Sequence, residues 1–429
     1  MNRQMLSRVG AVVAASIVLA GIVGGVMAQN MDAFGSRLNS EKSGESRLTA
    51  QTANAAVDSK LVDANTKFGF NLFSEILKQD SKKNVFVSPT SVAIALSMTY
   101  NGASGETQEA MAKALELQGM SLQDINQANE TLKASLENAD PDVQLSIANS
   151  LWAKQGTDFK RDFLQRNQQF YKAKVTELDF AKPDSIGIIN NWVKENTHGK
   201  IDKIVQQIRP DNVLFLINAI YFKGNWTKKF DKSQTTERPF YLTDGTQKQH
   251  PLMSQSGKYR YFENDTFQAV SLPYGKERLN LYVFLPKKNT SLDAFQQQLA
   301  VENWQQWMNQ FRMRQGLIQL PRFKFDYDIQ LNNALKALGM ESAFNDTQAN
   351  FSNMTAESVK IDEVKHKTFV EVNEEGTEAA AATSVGIAMT SAMRPEEPFQ
   401  MVVDRPFFCA IRDNQTGTIL FMGSIREPK

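Results

Sequence analysis

Little in this 429-residue chain is suited to doing chemistry itself. His198, His250 and His366 are the only histidines. They stand in unrelated contexts, and none has the close partner spacing of metal ligands, so neither a metal site nor a cofactor is expected. The chain lacks a GxSxG nucleophile elbow, a phosphate-cradling glycine loop and a dinucleotide fingerprint. Cys409, the single cysteine, sits in the apolar run Phe407-Phe408-Cys409-Ala410-Ile411, where a buried thiol is the expectation. A catalytic triad is assembled in space and leaves no sequence spacing behind, so an exported hydrolase stays as a minor alternative.

A different chemistry is suggested by Glu374 to Thr390, a stretch fit to be acted upon. With period two, one face carries Thr377, Ala379, Ala381, Thr383, Val385, Ile387 and Met389, suited to burial in a sheet, and the other is suited to solvent. Four consecutive alanines favour a helix by propensity. Against that stand Gly376 before them, the Thr383-Ser384-Val385-Gly386 run after them, and Pro395 and Pro398 beyond, which together predict a segment able to be loop or strand. The motif Glu374-Glu375-Gly376-Thr377-Glu378-Ala379-Ala380-Ala381-Ala382-Thr383 resembles the hinge and proximal reactive-centre loop of the serpins, the serine-protease-inhibitor family. The resemblance implies a loop that is cut by a protease and then inserts as a new strand into a large sheet, the established mechanism of that family. Gly376 to Thr390, fully extended, spans roughly 46 Å at about 3.3 Å per residue, enough to cross such a sheet.

Further matches keep the family's order along the chain. Asn84-Val85-Phe86-Val87-Ser88-Pro89-Thr90-Ser91 is similar to the serpin segment entering the core helix, with Ser88 as cap and Pro89 in the first turn. The apolar run ending at Trp226 predicts a central strand covered on both faces. Within it Asn218 must find partners, because a buried unsatisfied amide costs about 1–3 kcal/mol. By resemblance Ser88, Ser91, Asn218 and His366 form the polar shutter cluster under the sheet, Trp226 marks the breach where insertion begins, and Asp404-Arg405-Pro406-Phe407-Phe408 follows the loop. Counting from Glu374 as the family does places the reactive bond at Thr390–Ser391. The segment up to Pro406 is a few residues longer than in familiar members, which shifts the count from the other end toward Arg394–Pro395.

The elements needed to hold these residues are legible from periodicity. A helix is predicted over 58–78, a strand over 84–87, a helix from Pro89 to Tyr100 stopped by Gly102, and a half-buried strand over 143–154. Strands are predicted over 279–285 and 317–327, and a helix over 330–338 with Leu331, Leu335 and Leu338 on one face and Gly339 as its stop. A final hairpin joins 407–411 to 418–422. The expected fold class is α+β: a serpin fold with a large central β-sheet, two smaller sheets, eight to nine helices and an exposed reactive-centre loop.

Residues 1–28 have Arg3 and Arg8, an apolar run and a Val26-Met27-Ala28 end, the layout of a secretory signal peptide. The product is then secreted or periplasmic and of bacterial type. The alternative is an uncleaved membrane anchor, for which the run is about long enough. Residues 29–56 are a polar spacer expected to be disordered. Without a later linker, 57–429 is expected to be one domain.

With 41% hydrophobic residues, 22% charged and a formal charge of +1, the chain is an ordinary soluble globular protein. Its scattered lysines and arginines point to neither nucleic acid nor a polyanion cofactor. The resemblance implies a monomeric suicide inhibitor of serine proteases and, in some members, of cysteine proteases. Ile387, Ala388, Met389, Ala392 and Met393 suggest an elastase-like or subtilisin-like partner. The alternative is a non-inhibitory serpin-fold binding or structural protein, which the small hinge residues Thr377 to Thr383 argue against.

Overall fold

Hydrophobic periodicity becomes nine α-helices and fifteen strands among the described residues, which are 56–209, 211–377 and 397–429 of a computed structural model. The signal segment 1–28, nearly all of the spacer, the hinge from Glu378 to Thr383 and both candidate reactive bonds lie outside them. The chain runs α1 (Ser59–Gln79), β1 (Val85–Val87), α2 (Pro89–Tyr100), α3 (Gly105–Ala114), α4 (Leu122–Glu137), β2 (Val143–Lys154), α5 (Arg161–Arg166), β3 (Lys174–Leu178) and α6 (Asp184–Asn196). Next come β4 (Leu214–Asn225), β5 (Thr236–Tyr241), β6 (Gln247–Glu263), β7 (Phe267–Pro273), β8 (Leu279–Pro286), α7 (Leu292–Gln296) and α8 (Val301–Gln310). The last part holds β9 (Arg312–Pro321), β10 (Phe323–Gln330), α9 (Asn332–Leu335), β11 (Glu363–Asn373), β12 (Gly376–Thr377), β13 (Phe399–Val402), β14 (Phe407–Asp413) and β15 (Ile419–Ile425).

The central sheet has six strands in the order β10-β11-β12-β4-β2-β3. Its strand β4 is buried along Leu214–Phe222, as an apolar run without alternation requires. One face packs on the main core with α2, a helix buried on every side. The other face meets a smaller apolar layer in which Phe215, Ile217 and Ala219 of β4 lie against Ile189 and Val193 of α6 and Ile201, Ile204 and Val205 of the segment after it. That second layer corrects the expectation for 143–154. The strand is there, but it is buried on both faces from Ile147 to Ala153, because Ala148 and Trp152 belong to the layer under α6.

The second set of strands runs β1-β15-β14-β8-β7-β6-β9-β13, with β5 on the free stretch of β6. The strands expected as two smaller sheets form one nine-stranded sheet through β6, a 17-residue strand that pairs in turn with β5, β9 and β7. The strand expected over 317–327 is in fact two. Pro321, without an N–H to continue a ladder, ends β9, and Phe323 begins β10 at the edge of the other sheet. The helix expected over 330–338 is also shorter: α9 stops at Leu335 and widens into a π-turn over Lys336–Met340, where Gly339 takes φ +101°. Leu331 and Leu335 are buried as expected, while Leu338 is only half-buried.

Candidate functional site

The site is a wedge in the central sheet. Strands β4 and β11 are paired in parallel from Phe215/Glu363 to Ile220/Thr368 and then part. Glu374 and Glu375 turn the chain back, and the short strand β12 lies antiparallel to both: Gly376 and Thr377 face Asn373 and Val372 on one side, and Asn225 and Gly224 on the other. Gly376 fits because it has φ +149° and because a Cβ there would lie 2.1 Å from the Gly224 carbonyl oxygen. Thr377 is 2% exposed, and its hydroxyl is 2.8 Å from the Tyr274 hydroxyl.

The turn is held by charge. The Glu374 carboxylate, 3% exposed, accepts from Arg322 Nε at 2.7 Å, from Arg322 Nη2 and from the Thr235 hydroxyl. Burial raises the pKa of Glu374, but the hydrogen bonds from Arg322 and Thr235 outweigh it and hold the carboxyl below its ordinary range. Glu375 pairs with Lys229 at 2.7 Å and Lys232 at 3.0 Å, which lower its pKa as well. Trp226 closes the top of β4. Its indole N–H donates to the Asn373 carbonyl at 2.8 Å, its backbone N–H donates to the Glu375 carbonyl at 2.9 Å, and its ring stacks on Tyr274 with centroids 4.5 Å apart.

Further down, where β4 and β11 are still paired, the four polar residues read from the sequence meet. His366 Nδ1 is 2.5 Å from Asn218 Oδ1, and His366 Nε2 accepts the Ser88 backbone N–H at 3.0 Å, which makes Nδ1 the protonated nitrogen. Asn218 Nδ2 reaches Ser91 Oγ and Asn149 Oδ1, each at 2.5 Å, and the Ser88 hydroxyl caps α2. Asn149 was missed in the sequence. The available signal is that it is the polar member of the face shared by Val143, Leu145, Ile147 and Leu151. His250 lies elsewhere, against the Arg322 carbonyl, and His198 is exposed beside Tyr221. Among the described residues, no cluster of three or more His, Cys, Asp or Glu side chains is placed to hold a metal.

Burial holds the His366 imidazole neutral, its pKa pushed down to about 3 from 6.5. The unfolded chain therefore binds a proton that the folded chain refuses. The resulting stabilisation is full above pH 6.5 and is lost as pH falls from there toward about 3. Between pH 6.5 and 5, above the range of the paired carboxylates, unfolding free energy should fall by roughly 1.4 kcal/mol per pH unit for this proton. Urea denaturation of the parent and of His366→Asn checks this: the variant should lose most of that slope, and equal slopes would show that His366 does not set it.

The family model described as "Serpin (serine protease inhibitor)" matches residues 63–428. The chain belongs to the serpin family. This serpin is 36% identical over 382 residues to the leukocyte elastase inhibitor of Homo sapiens, covering 86% of this chain and 100% of that one. It is 36% identical over 378 residues to a serpin-like protein of Thermococcus kodakarensis, covering 86% of each. Among solved structures, the thermophilic serpin tengpin in its native state superposes with TM-score 0.80 at 34% identity, covering 87% of this serpin and 95% of tengpin. Human thyroxine-binding globulin in complex with its hormone superposes with TM-score 0.79 at 26% identity, covering 86% and 99%.

Proposed function

We propose that this serpin is a suicide inhibitor of serine proteases. The target's serine Oγ attacks the carbonyl carbon of a loop peptide bond, the new amine leaves with a proton, and an ester joins loop and enzyme. The freed strand then enters the sheet before water can cleave that ester. The reactive bond is assigned to Thr390–Ser391 and the target to elastase-like or subtilisin-like enzymes, in keeping with the inhibitor named among the relatives.

The observation that carries this reading is the phase of the wedge. His366 pairs with Asn218, 148 residues earlier. Val372 and Gly224, which flank Thr377, have that same separation. A strand continuing from Thr377 therefore passes between β4 and β11 without a register shift. It would place Ala380 between Tyr221 and Phe369, Thr383 between Asn218 and His366, and Gly386 between Phe215 and Glu363. The direct His366–Asn218 bond must then give way to Thr383.

In that register Thr377, Ala379, Ala381 and Thr383 face the main core. Ala382, Ser384 and Gly386 face the layer under α6 rather than the open solvent expected for that side, which explains why small residues are needed there. The segment after α6 straddles the opening: His198 lies over Tyr221 at 5.0 Å and Lys200 over Phe369 at 5.6 Å, and the Lys203 carbonyl accepts from Lys367. Insertion therefore has to lift it.

Mixing the serpin with elastase and with subtilisin should give a covalent complex that survives denaturing gel electrophoresis. Cleaved serpin without any such complex would favour the non-inhibitory alternative. Residues 1–28 support export, and the chain acts as a monomer in this scheme.

A further inference from the structure

The end of the molecule to which the chain returns from the loop carries a group of exposed cations among the described residues. Register places Lys258 beside Gln315 and Arg260 beside Met313 on one face of the β6–β9 pair, all exposed, with Met313 the most exposed large apolar side chain among the described residues at 63%. Arg312 follows at the strand end, where its guanidinium donates to the carbonyls of Asn309 and Phe311. Lys228, two residues beyond Trp226, reaches over to the Ser256 carbonyl at 2.8 Å. None of these four cations has a carboxylate partner among the described residues. The nearby carboxylate of Glu263 is engaged on Arg314 and Lys287, and Glu397 offers its backbone carbonyl to Arg314.

The strands that carry this face also hold the root at which the chain returns from the loop. Gly257 pairs with Gly316, and Gly316 with Phe399, where the chain returns from the loop. Lys228, at the other root, lies toward the opposite face of β6, against Gly257 and Tyr259. We propose that Lys258, Arg260 and Met313 form a docking surface for the body of the target protease, selecting serine proteases with a carboxylate-rich rim around the active-site cleft. The inference rests on the inhibitory reading. A protease holding the loop in its cleft has to lie against this end of the serpin, and unpaired cations there raise the encounter rate with an acidic partner. An exposed methionine amid the cations suits a protein surface better than a polyanion.

The test uses a subtilisin with an acidic cleft rim whose catalytic serine is replaced by alanine, so that docking is read without cleavage. Surface plasmon resonance would compare the full chain with Lys258→Glu/Arg260→Glu and with Met313→Ala, at about 20 mM and about 300 mM salt. The double charge reversal should slow association about ten-fold at low salt and much less at high salt, and Met313→Ala should speed dissociation several-fold. Unchanged thermal transitions would show that the variants are folded. Unchanged rates, or no binding by the parent, would overturn the docking surface. A heparin-binding activity lost in the charge-reversal variant with protease rates intact would also overturn it, in favour of a polyanion site. Patch-dependent docking without a gel-stable complex from active subtilisin would sustain this surface and sink the inhibitory reading. Gel-stable complexes formed at parental rates by the reversed variant would do the opposite.

Discussion

Cleavage of the native serpin between residues 385 and 394 is expected to raise its thermal transition by about 20 °C. Once cut, the segment after Thr377 is free to lengthen β12 down the gap between β4 and β11, with ladder partners available as far as Glu363 and Leu214. Each new hydrogen bond contributes about 0.5–1.5 kcal/mol net. A strand bonded on both sides therefore gains, net of the direct β4–β11 pairing it replaces, on the order of 10 kcal/mol, and a domain of this size gains roughly 2 °C per kcal/mol. The native form is then metastable, held by a barrier and not by its free energy. Scanning calorimetry before and after limited proteolysis is the measurement, with the new amino terminus fixed by mass spectrometry. An unchanged or lower transition after a cut in that window would rule out insertion.

Thr377→Arg should convert the inhibitor into a substrate, raising its stoichiometry of inhibition many-fold, while Glu378→Arg should leave inhibition nearly intact. Thr377 is enclosed between Gly224 and Val372, with the neutral Tyr274 hydroxyl as its side-chain partner. An arginine there is expelled from the native wedge, and insertion must then bury it as its first step at a cost of several kcal/mol, so that step slows and the protease completes deacylation. Position 378 is one residue along, and its continuing register places it between Lys223 and Glu371, both half-buried and pointing to the opposite face. The two variants put the same side chain in the same stretch on different faces. Stoichiometry against elastase decides, with the native thermal transition as a control for folding; equal effects would show that the segment enters in another register or not at all.

The parts of the site built from contiguous sequence were legible, and those built across the sheet were not. Asn218 and His366 stood out as polar groups within apolar strands, and Ser88-Pro89 read as a helix start, because burial and capping constrain single positions. Thr235, Tyr274 and Arg322 gave no signal, since their roles depend on being brought to the Glu374 turn from three other segments. Solvent exposure was misjudged for 143–154 because alternation reports one packed face and cannot register a helix laid on the other. The overlong strand at 317–327 arose because a proline at a crossing between sheets looks, in sequence, like one pause within a strand.

The pairing of β1 with β15 bears on how the chain must be made. Val85 lies opposite Ser424, so β1 cannot pair until a segment made much later is available. On the inhibitory reading, by contrast, β4, β11 and the strand that would part them all precede β13 to β15 along the chain. Until those last strands are seated the occupant has no anchor at its far end, because Phe399 has yet to pair with Gly316. A chain that lingered in that state would be free to fill its own sheet and, on that reading, lose its inhibitory capacity. Prompt seating of β13 to β15 is thus, on the inhibitory reading, part of what the fold demands.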